Sequence, residues 1–248
     1  MTVASEVASF IIDQASLSEG LKLVSGVIES SQVMQVLSFV HMRFIDGQVV
    51  LSASNAEVEI QTAVRLLQQS EQDFAITVPC RKLMDILRFA DKEASVIFTV
   101  QGMQLNVEVG NSNYKVNTLE EAQFPFFKGS ETKQFLEVTE SEVCALIKRT
   151  AFAMAHQDVR YFLNGMLLEF NGSELKAVAT DGHRLAVNSI ETQADLSTFK
   201  AIVPRKTIQE LTRLLSGSDA MIKLMVTSDF IEVHHDAFRL KSNLIDAQ

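Results

Sequence analysis

The sequence contains an internal repeat with a spacing of 125 residues, which constrains the fold more than any other feature. The matching pairs are "DFAITVPCRKLMDILRFAD" (73–91) with "FKAIVPRKTIQELTRLLSG" (199–217), "FIDGQVVLSAS" (44–54) with "FNGSELKAVA" (170–179), and "TLEEAQ" (118–123) with "NLIDAQ" (243–248). These matches place Pro79 opposite Pro204 and Gly47 opposite Gly172. Because three separate matches share one offset, the sequence predicts two tandem copies of one domain, 1–130 and 131–248.

Both copies follow the order helix, strands, helix, strands. In the second copy, apolar residues such as Val143 and Leu146 recur at helical spacing, and Thr139 with Glu142 forms a capping-box pattern. "GMLLEF" and "LKAVAT" are short apolar strands around an Asn-Gly turn. The predicted helices are 18–30, 80–90, 140–154 and 204–215, with Pro204 in the first turn of the last one. We therefore expect an α+β fold in which each copy packs its helices on one face of antiparallel sheets.

The sequence lacks the common catalytic and cofactor motifs. It contains no glycine-rich phosphate loop, no HExxH, no GxSxG and no paired metal-ligand spacing. Cys80 and Cys144 are the only cysteines, which suits neither a disulfide framework nor a zinc site. His234 and His235 are adjacent, and neighbours on a strand point to opposite faces, so the two side chains are not expected to chelate one metal. We expect no catalytic residue, no metal and no cofactor.

Targeting signals are also missing from the pattern. No apolar run reaches the ~18 residues that a membrane-spanning helix requires. Residues 1–13 have no basic start and include Glu6, unlike a secretory signal. Two isolated thiols suit a reducing compartment. The sequence therefore predicts a cytoplasmic protein without a membrane partner.

The stretch "VATDGHRLAV" (178–187) brings a carboxylate, an imidazole and a guanidinium together at Asp181, His183 and Arg184. These groups could form an acid–base site, but a catalyst also needs a pocket and a nucleophile, metal or cofactor. They could equally build a turn, because Asp accepts backbone N–H groups and Gly tolerates positive φ. The first copy has "SNAEVE" at this place, so the second version is specialised, and we favour a functional role.

The charge is distributed unevenly over the chain. The four predicted helices contain nine basic and six acidic residues, so they carry +3 while the remainder of the chain carries −12. If the helices share one side, that side is basic on an acidic protein. Lys and Arg contacts to phosphates are independent of base sequence and sensitive to salt. The alternative, that these residues only decorate solvated helix faces, is left open by charge alone.

Several motifs carry a family resemblance. "MAHQDVRYFLNGML" (154–167), "VATDGHRLAV" and "VPRKTIQEL" (203–211) closely resemble the middle domain of bacterial sliding clamps, the beta subunits of DNA polymerase III. The first copy resembles the N-terminal domain of that family more loosely, through "LKLVSG" (21–26), "VPCRKLMDILR" (78–88) and "LEEAQFP" (119–125). Nothing in the sequence corresponds to the C-terminal domain. The chain as given is therefore expected to lack the third clamp domain, and with it one wall of the peptide groove and one ring interface.

The resemblance implies a non-catalytic processivity factor. Clamps of this family form a head-to-tail homodimer ring around double-stranded DNA, and a clamp loader places them there. They tether DNA polymerase III and other replication and repair proteins, whose short peptide motifs bind a hydrophobic groove. The groove residues implied by the matching motifs are Arg160, Leu163, Thr180, Gly182, His183, Arg184 and Leu185. The DNA-binding residues implied in the same way are Arg81, Gln157, Tyr161, Phe162 and Lys206.

The first copy departs from the family pattern. Residues 27–38 read "VIESSQVMQVLS", and Ser31 falls roughly where the family carries a DNA-contacting arginine. Two alternatives to a clamp therefore remain. One is a diverged clamp relative that forms no ring and acts as a protein-interaction module. The other is an enzyme that uses Asp181 and His183.

Overall fold

The computed structural model describes residues 8–28, 34–68, 73–127, 135–192, 194 and 196–246. These residues form two compact units that divide after Phe127. The domain boundary that the repeat predicts, between 130 and 131, lies outside the described residues and stays a prediction. Ser31 also lies outside them. Every described helix is too short or too polar to cross a membrane.

Over the residues that the structure describes, the first unit has two α-helices and two antiparallel four-stranded sheets. Its elements are β1 (Ala8–Asp13), α1 (Gln14–Val24), β2 (Phe39–Ile45), β3 (Gln48–Ser54), β4 (Val58–Arg65), β5 (Phe74–Pro79), α2 (Cys80–Arg88), β6 (Ser95–Gln101), β7 (Gln104–Val109) and β8 (Ser112–Asn117). The strand orders are β5-β2-β3-β4 and β1-β6-β7-β8. The helices contact each other and lie against the first sheet. Leu17 of α1 and Leu83 of α2 are fully buried beneath them.

The second unit repeats this architecture. Its elements are β9 (Leu136–Thr139), α3 (Glu140–Thr150), β10 (Gly165–Phe170), β11 (Glu174–Thr180), β12 (Leu185–Glu191), β13 (Phe199–Pro204), α4 (Arg205–Leu214), β14 (Met221–Val226), β15 (Phe230–His234) and β16 (Arg239–Asn243). The strand orders are β13-β10-β11-β12 and β9-β14-β15-β16, which match the first unit strand for strand. Helices α3 and α4 contact each other and pack on the first of these sheets. The α+β fold with helices on one face of antiparallel sheets is confirmed.

The helix ends show where local chemistry agreed with the predicted pattern and where it did not. Thr139 and Glu142 form the predicted capping box at the start of α3. The prediction that the first helix starts at residue 18 was wrong, because Asp13 caps the helix by accepting a 2.9 Å hydrogen bond from the backbone of Ser16. Pro204 ends β13, and α4 begins at Arg205, one position later than predicted. The start of α1 is thus set by the side-chain cap of Asp13, which the spacing of apolar residues does not reveal.

The two histidines at positions 234 and 235 contact two different carboxylates. The Nε2 atom of His234 lies 2.9 Å from buried Glu232, and that of His235 lies 2.9 Å from buried Glu140. The second carboxylate also accepts hydrogen bonds from the hydroxyl groups of Ser216 and Ser218. Among the described residues, no group of three or more His, Cys, Asp or Glu side chains could hold a metal ion.

Candidate partner-binding and nucleic-acid surface

A rigid turn joins β11 to β12 at residues 180–184. One carboxylate oxygen of Asp181 accepts the backbone N–H groups of His183 and Arg184 at 3.0 Å each, and the other accepts the Arg184 Nε at 2.8 Å. The Thr180 hydroxyl donates to the Arg184 carbonyl at 2.7 Å. Gly182 sits at φ 88°, a conformation that other residues rarely adopt. The turn interpretation of this motif therefore holds, and the turn presents Arg184 and His183 to solvent.

The electrostatics of Asp181 follow from this turn. The two backbone N–H groups, followed by the Arg184 guanidinium, hold the pKa of Asp181 below its usual range. A carboxylate stabilised in its anionic form is a poor proton carrier near neutral pH. The geometry therefore favours a structural role for Asp181 and a recognition role for the side chains around it.

A second ordered loop, residues 154–164, approaches this turn from the chain between α3 and β10. The carboxylate of Asp158 binds Arg160 through two side-chain contacts of 3.0 Å each, Nε to Oδ1 and NH2 to Oδ2. These hydrogen bonds lower the pKa of Asp158 to about 2. The Leu163 N–H donates to the Arg160 carbonyl at 2.9 Å. The two contacts with the Asp158 carboxylate thus fix the direction in which the Arg160 side chain leaves the loop.

The loop and the turn meet at Arg160 and Gly182. A Cβ atom placed on Gly182 would lie 3.1 Å from NH2 of Arg160, so the guanidinium packs directly against the glycine. Leu185 begins the edge strand β12 and is 65% exposed, whereas Leu163 is 9% exposed. The two leucines implied by the resemblance therefore differ in exposure. The side chain of Leu185 is open to solvent, whereas that of Leu163 is buried.

Exposed apolar side chains also lie on β12 and in the segment after α3. Val187 follows Leu185 on the same face of β12 and is 54% exposed. Phe152, in the 3-10 turn after α3, is exposed and lies under Arg184, whose Cζ is 5.6 Å from the ring centroid. The sequence did not single out Phe152, because one aromatic residue at a helix end has no distinguishing pattern. Together, the cationic rim and the exposed leucine and valine suit a peptide that offers apolar side chains.

The residues proposed to face DNA are placed as follows. Tyr161 and Phe162 project from the loop with 52% and 43% exposure, and Gln157 is exposed with a positive φ of 58°. Lys206, in the first turn of α4, lies 3.2 Å from the buried Glu210 carboxylate. Arg81 is exposed in the first turn of α2 in the other unit. The structure brings Gln157, Tyr161 and Phe162 together on one loop.

Comparison with known proteins identifies the family. The family model for the N-terminal domain of the DNA polymerase III beta subunit matches residues 8–128. The family model for the central domain of that subunit matches residues 137–248. The chain belongs to the DNA polymerase III beta subunit family. The resemblance in the sequence motifs is confirmed, and each of the two units corresponds to one domain of that family.

Individual relatives agree with this assignment. The beta sliding clamp of Pseudomonas aeruginosa is 38% identical over 240 residues, and that of Escherichia coli K12 is 36% identical over 239. Each alignment covers 96% of this chain and 65% of the relative, so the chain spans slightly less than two thirds of these proteins. A crystal structure of the Pseudomonas aeruginosa subunit matches with a TM-score of 0.92 at 38% identity, over 97% of this chain and 65% of that one. Another, of the clamp from the same organism bound to griselimycin, matches with a TM-score of 0.91 at 37% identity, over 98% of this chain and 66% of that one.

Proposed function

We propose that this chain is a sliding-clamp subunit, or part of one, that surrounds duplex DNA and tethers DNA polymerase III and other replication proteins. The observation that carries the proposal is the meeting of Arg160 with Gly182 beside the exposed Leu185, in a chain of the beta subunit family. This arrangement offers a fixed polar rim and an open apolar contact, which suits peptide capture. The role is non-catalytic, without a cofactor, and cytoplasmic. A clamp loader and self-association into a ring are part of the same proposal.

The peptide groove can be tested with griselimycin, because a related clamp has been solved bound to it. We expect wild-type protein to bind griselimycin and the Leu185→Ala variant to bind about tenfold more weakly, since the exposed leucine loses most of its apolar contact area. Isothermal titration calorimetry measures both affinities. Stability should be nearly unchanged, because the side chain is 65% exposed.

Met221→Ala provides the matched control. Met221 lies on β14 of the same unit, in the other sheet, and is 51% exposed. Its removal takes away similar apolar surface without touching the proposed groove, so griselimycin affinity should stay within twofold of wild type. Equal affinity in the Leu185→Ala variant and the wild type would exclude this surface as the groove.

The proposed DNA contact is electrostatic. On α2, Arg81, Lys82 and Arg88 are exposed with the single carboxylate of Asp85 among them. Contacts of this type bind phosphates without reading bases, and their number sets the salt dependence of affinity. Tyr161 and Phe162 add exposed rings that can stack on unpaired bases or pack against the sugar–phosphate backbone.

Fluorescence anisotropy with two duplexes of unrelated sequence tests this contact. We expect equal affinities for the two, a linear fall of log affinity with log salt, and a slope reduced by about 1 in the Arg81→Ala variant. Arg43→Ala is the control, because Arg43 is an exposed arginine on β2 of the same unit, outside the helices.

Griselimycin binding combined with no duplex binding at low salt would favour the alternative of a non-ring interaction module. For ring closure, protein loaded on nicked circular DNA should be released when the circle is linearised.

A further inference from the structure

Asn164 closes the loop that approaches the proposed groove. Its side-chain oxygen accepts the Asp158 N–H at 2.9 Å, and its side-chain nitrogen donates to the Asp158 carbonyl at 2.9 Å. One half-buried amide therefore satisfies both backbone groups of a residue six positions earlier. This bidentate link fixes the spacing and the direction of the backbone at Asp158.

The link continues from Asp158 to the groove. The Asp158 carboxylate accepts a hydrogen bond of 2.8 Å from the backbone N–H of Arg160. It also accepts hydrogen bonds from two guanidinium nitrogens of the same arginine. The guanidinium in turn packs on Gly182 in the turn before β12. A side chain that holds the backbone of Asp158 therefore acts indirectly on the position of Arg160.

The loop needs such a link because apolar burial is confined to its two ends. In its middle, Val159 is 96% exposed, and Tyr161 and Phe162 are also exposed. Gln157, immediately before Asp158, adopts a positive φ of 58°, which costs free energy for a non-glycine residue. On the other side of the loop, the Arg205 guanidinium donates to the Met154 carbonyl at 3.0 Å. Polar contacts to the backbone thus hold a conformation that the exposed side chains do not favour by themselves.

We propose that Asn164 is a positioning residue for partner binding: through Asp158 it holds Arg160 at the rim of the groove. The inference rests on the proposed function, because it assumes that the groove binds a peptide-like ligand. The proposal goes further, because the Asn164 side chain binds the backbone of Asp158 and is not among the residues proposed to contact the ligand. When Asn164 is removed, the expected loss of affinity therefore comes from misplacement of Arg160 and not from a general loss of fold.

The Asn164→Ala variant tests this assignment. We expect its affinity for griselimycin to fall about fivefold to tenfold, the effect of one or two lost hydrogen bonds. Asn171→Ala is the matched control, because Asn171 also uses its side chain to accept two backbone N–H groups, those of Ser173 and Glu174, in the hairpin between β10 and β11. Its affinity should stay within twofold of wild type, although both variants lose a comparable loop contact.

A double-mutant cycle separates positioning from simple stability. In an Arg160→Ala background, Asn164→Ala should weaken griselimycin binding by less than twofold, because the group that it positions is already absent. The Asp158→Asn variant removes the ion pair with Arg160 but keeps the hydrogen bonds between the backbone at position 158 and Asn164. It should therefore reproduce most of the affinity loss of Asn164→Ala.

The outcomes are distinguishable. If the wild-type chain does not bind griselimycin, the proposed function fails and takes the inference with it. If the wild type binds and Asn164→Ala binds equally well, the inference alone is overturned. It is also overturned if Asn164→Ala costs the same factor with and without Arg160, because that result describes a structural residue and not a positioning one.

Discussion

The Glu232→Gln substitution is expected to lower the free energy of unfolding by about 3–5 kcal/mol, the usual effect of removing one partner from a buried charge pair. Glu232 is fully buried, and its Oε2 lies 2.6 Å from NH2 of Arg239. Lys241, only 8% exposed at its side chain, lies 3.0 Å from the other carboxylate oxygen. A neutral amide would remove the negative charge beside this buried ammonium, which also lies 3.7 Å from the centroid of the Phe230 ring.

Urea unfolding followed by circular dichroism measures this loss, and the chain offers a close control. Glu137 pairs with Lys223 at 3.3 Å in the same sheet, but both side chains are more than half exposed. Because exposed ion pairs contribute little, Glu137→Gln should change stability by no more than about 0.5 kcal/mol. A similar small effect for Glu232→Gln would show that the charge of the buried Lys241 is compensated without the Glu232 carboxylate.

The same carboxylate predicts a dependence on pH. Burial acts to raise the pKa of Glu232, but hydrogen bonds from His234, Arg239 and Lys241 outweigh it and lower the pKa to about 2. A depressed pKa in the folded state contributes stability that is complete above the unfolded value of about 4.5 and is lost as pH falls toward 2. Wild-type stability should therefore fall steeply between pH 4.5 and 2. The fall should be shallower in Glu232→Gln but not absent, because Glu140 also has a pKa of about 2.

The Gly182→Ala variant is expected to lose at least tenfold in griselimycin affinity and about 1–2 kcal/mol of stability. The stability loss follows from φ 88°, which an alanine adopts only with strain. The affinity loss has a second cause, because the new methyl group would lie 3.1 Å from the Arg160 guanidinium and displace it. Calorimetric titration and thermal unfolding report the two effects separately.

Gly172→Ala separates strain from displacement. Gly172 has φ 105° in the hairpin between β10 and β11, and a Cβ atom there meets nothing within 4 Å. This variant should therefore lose a similar amount of stability and keep its affinity for griselimycin. Equal loss of affinity in both variants would show that strain in the unit, and not the position of Arg160, governs binding.

Much of the proposed site could be predicted from the sequence, but its construction could not. For the motif around Asp181, the sequence left a turn and a functional role open and favoured the functional role, and the hydrogen bonds to that carboxylate are those of a turn. Leu163 and Leu185 were predicted to play the same part, because their side chains are identical and both belong to family motifs. The structure separates them, since only Leu185 starts an edge strand with its side chain toward solvent. The supporting residues Asn164 and Arg205 were not predicted, because their hydrogen bonds follow the path of a loop that has no regular period.

The sequence by itself determined the duplication, the α+β architecture, the family and the bounds of the last three helices to within four residues, but it misplaced both ends of the first helix. These features depend on periodicity, capping and turn chemistry, which act between residues close in the chain and leave a pattern in the letters. Only the tertiary structure decided that Arg160 lies against Gly182 and that Glu232 is buried among cations. Such contacts depend on how strands and loops pack in three dimensions, and packing places side chains together without any fixed spacing along the chain.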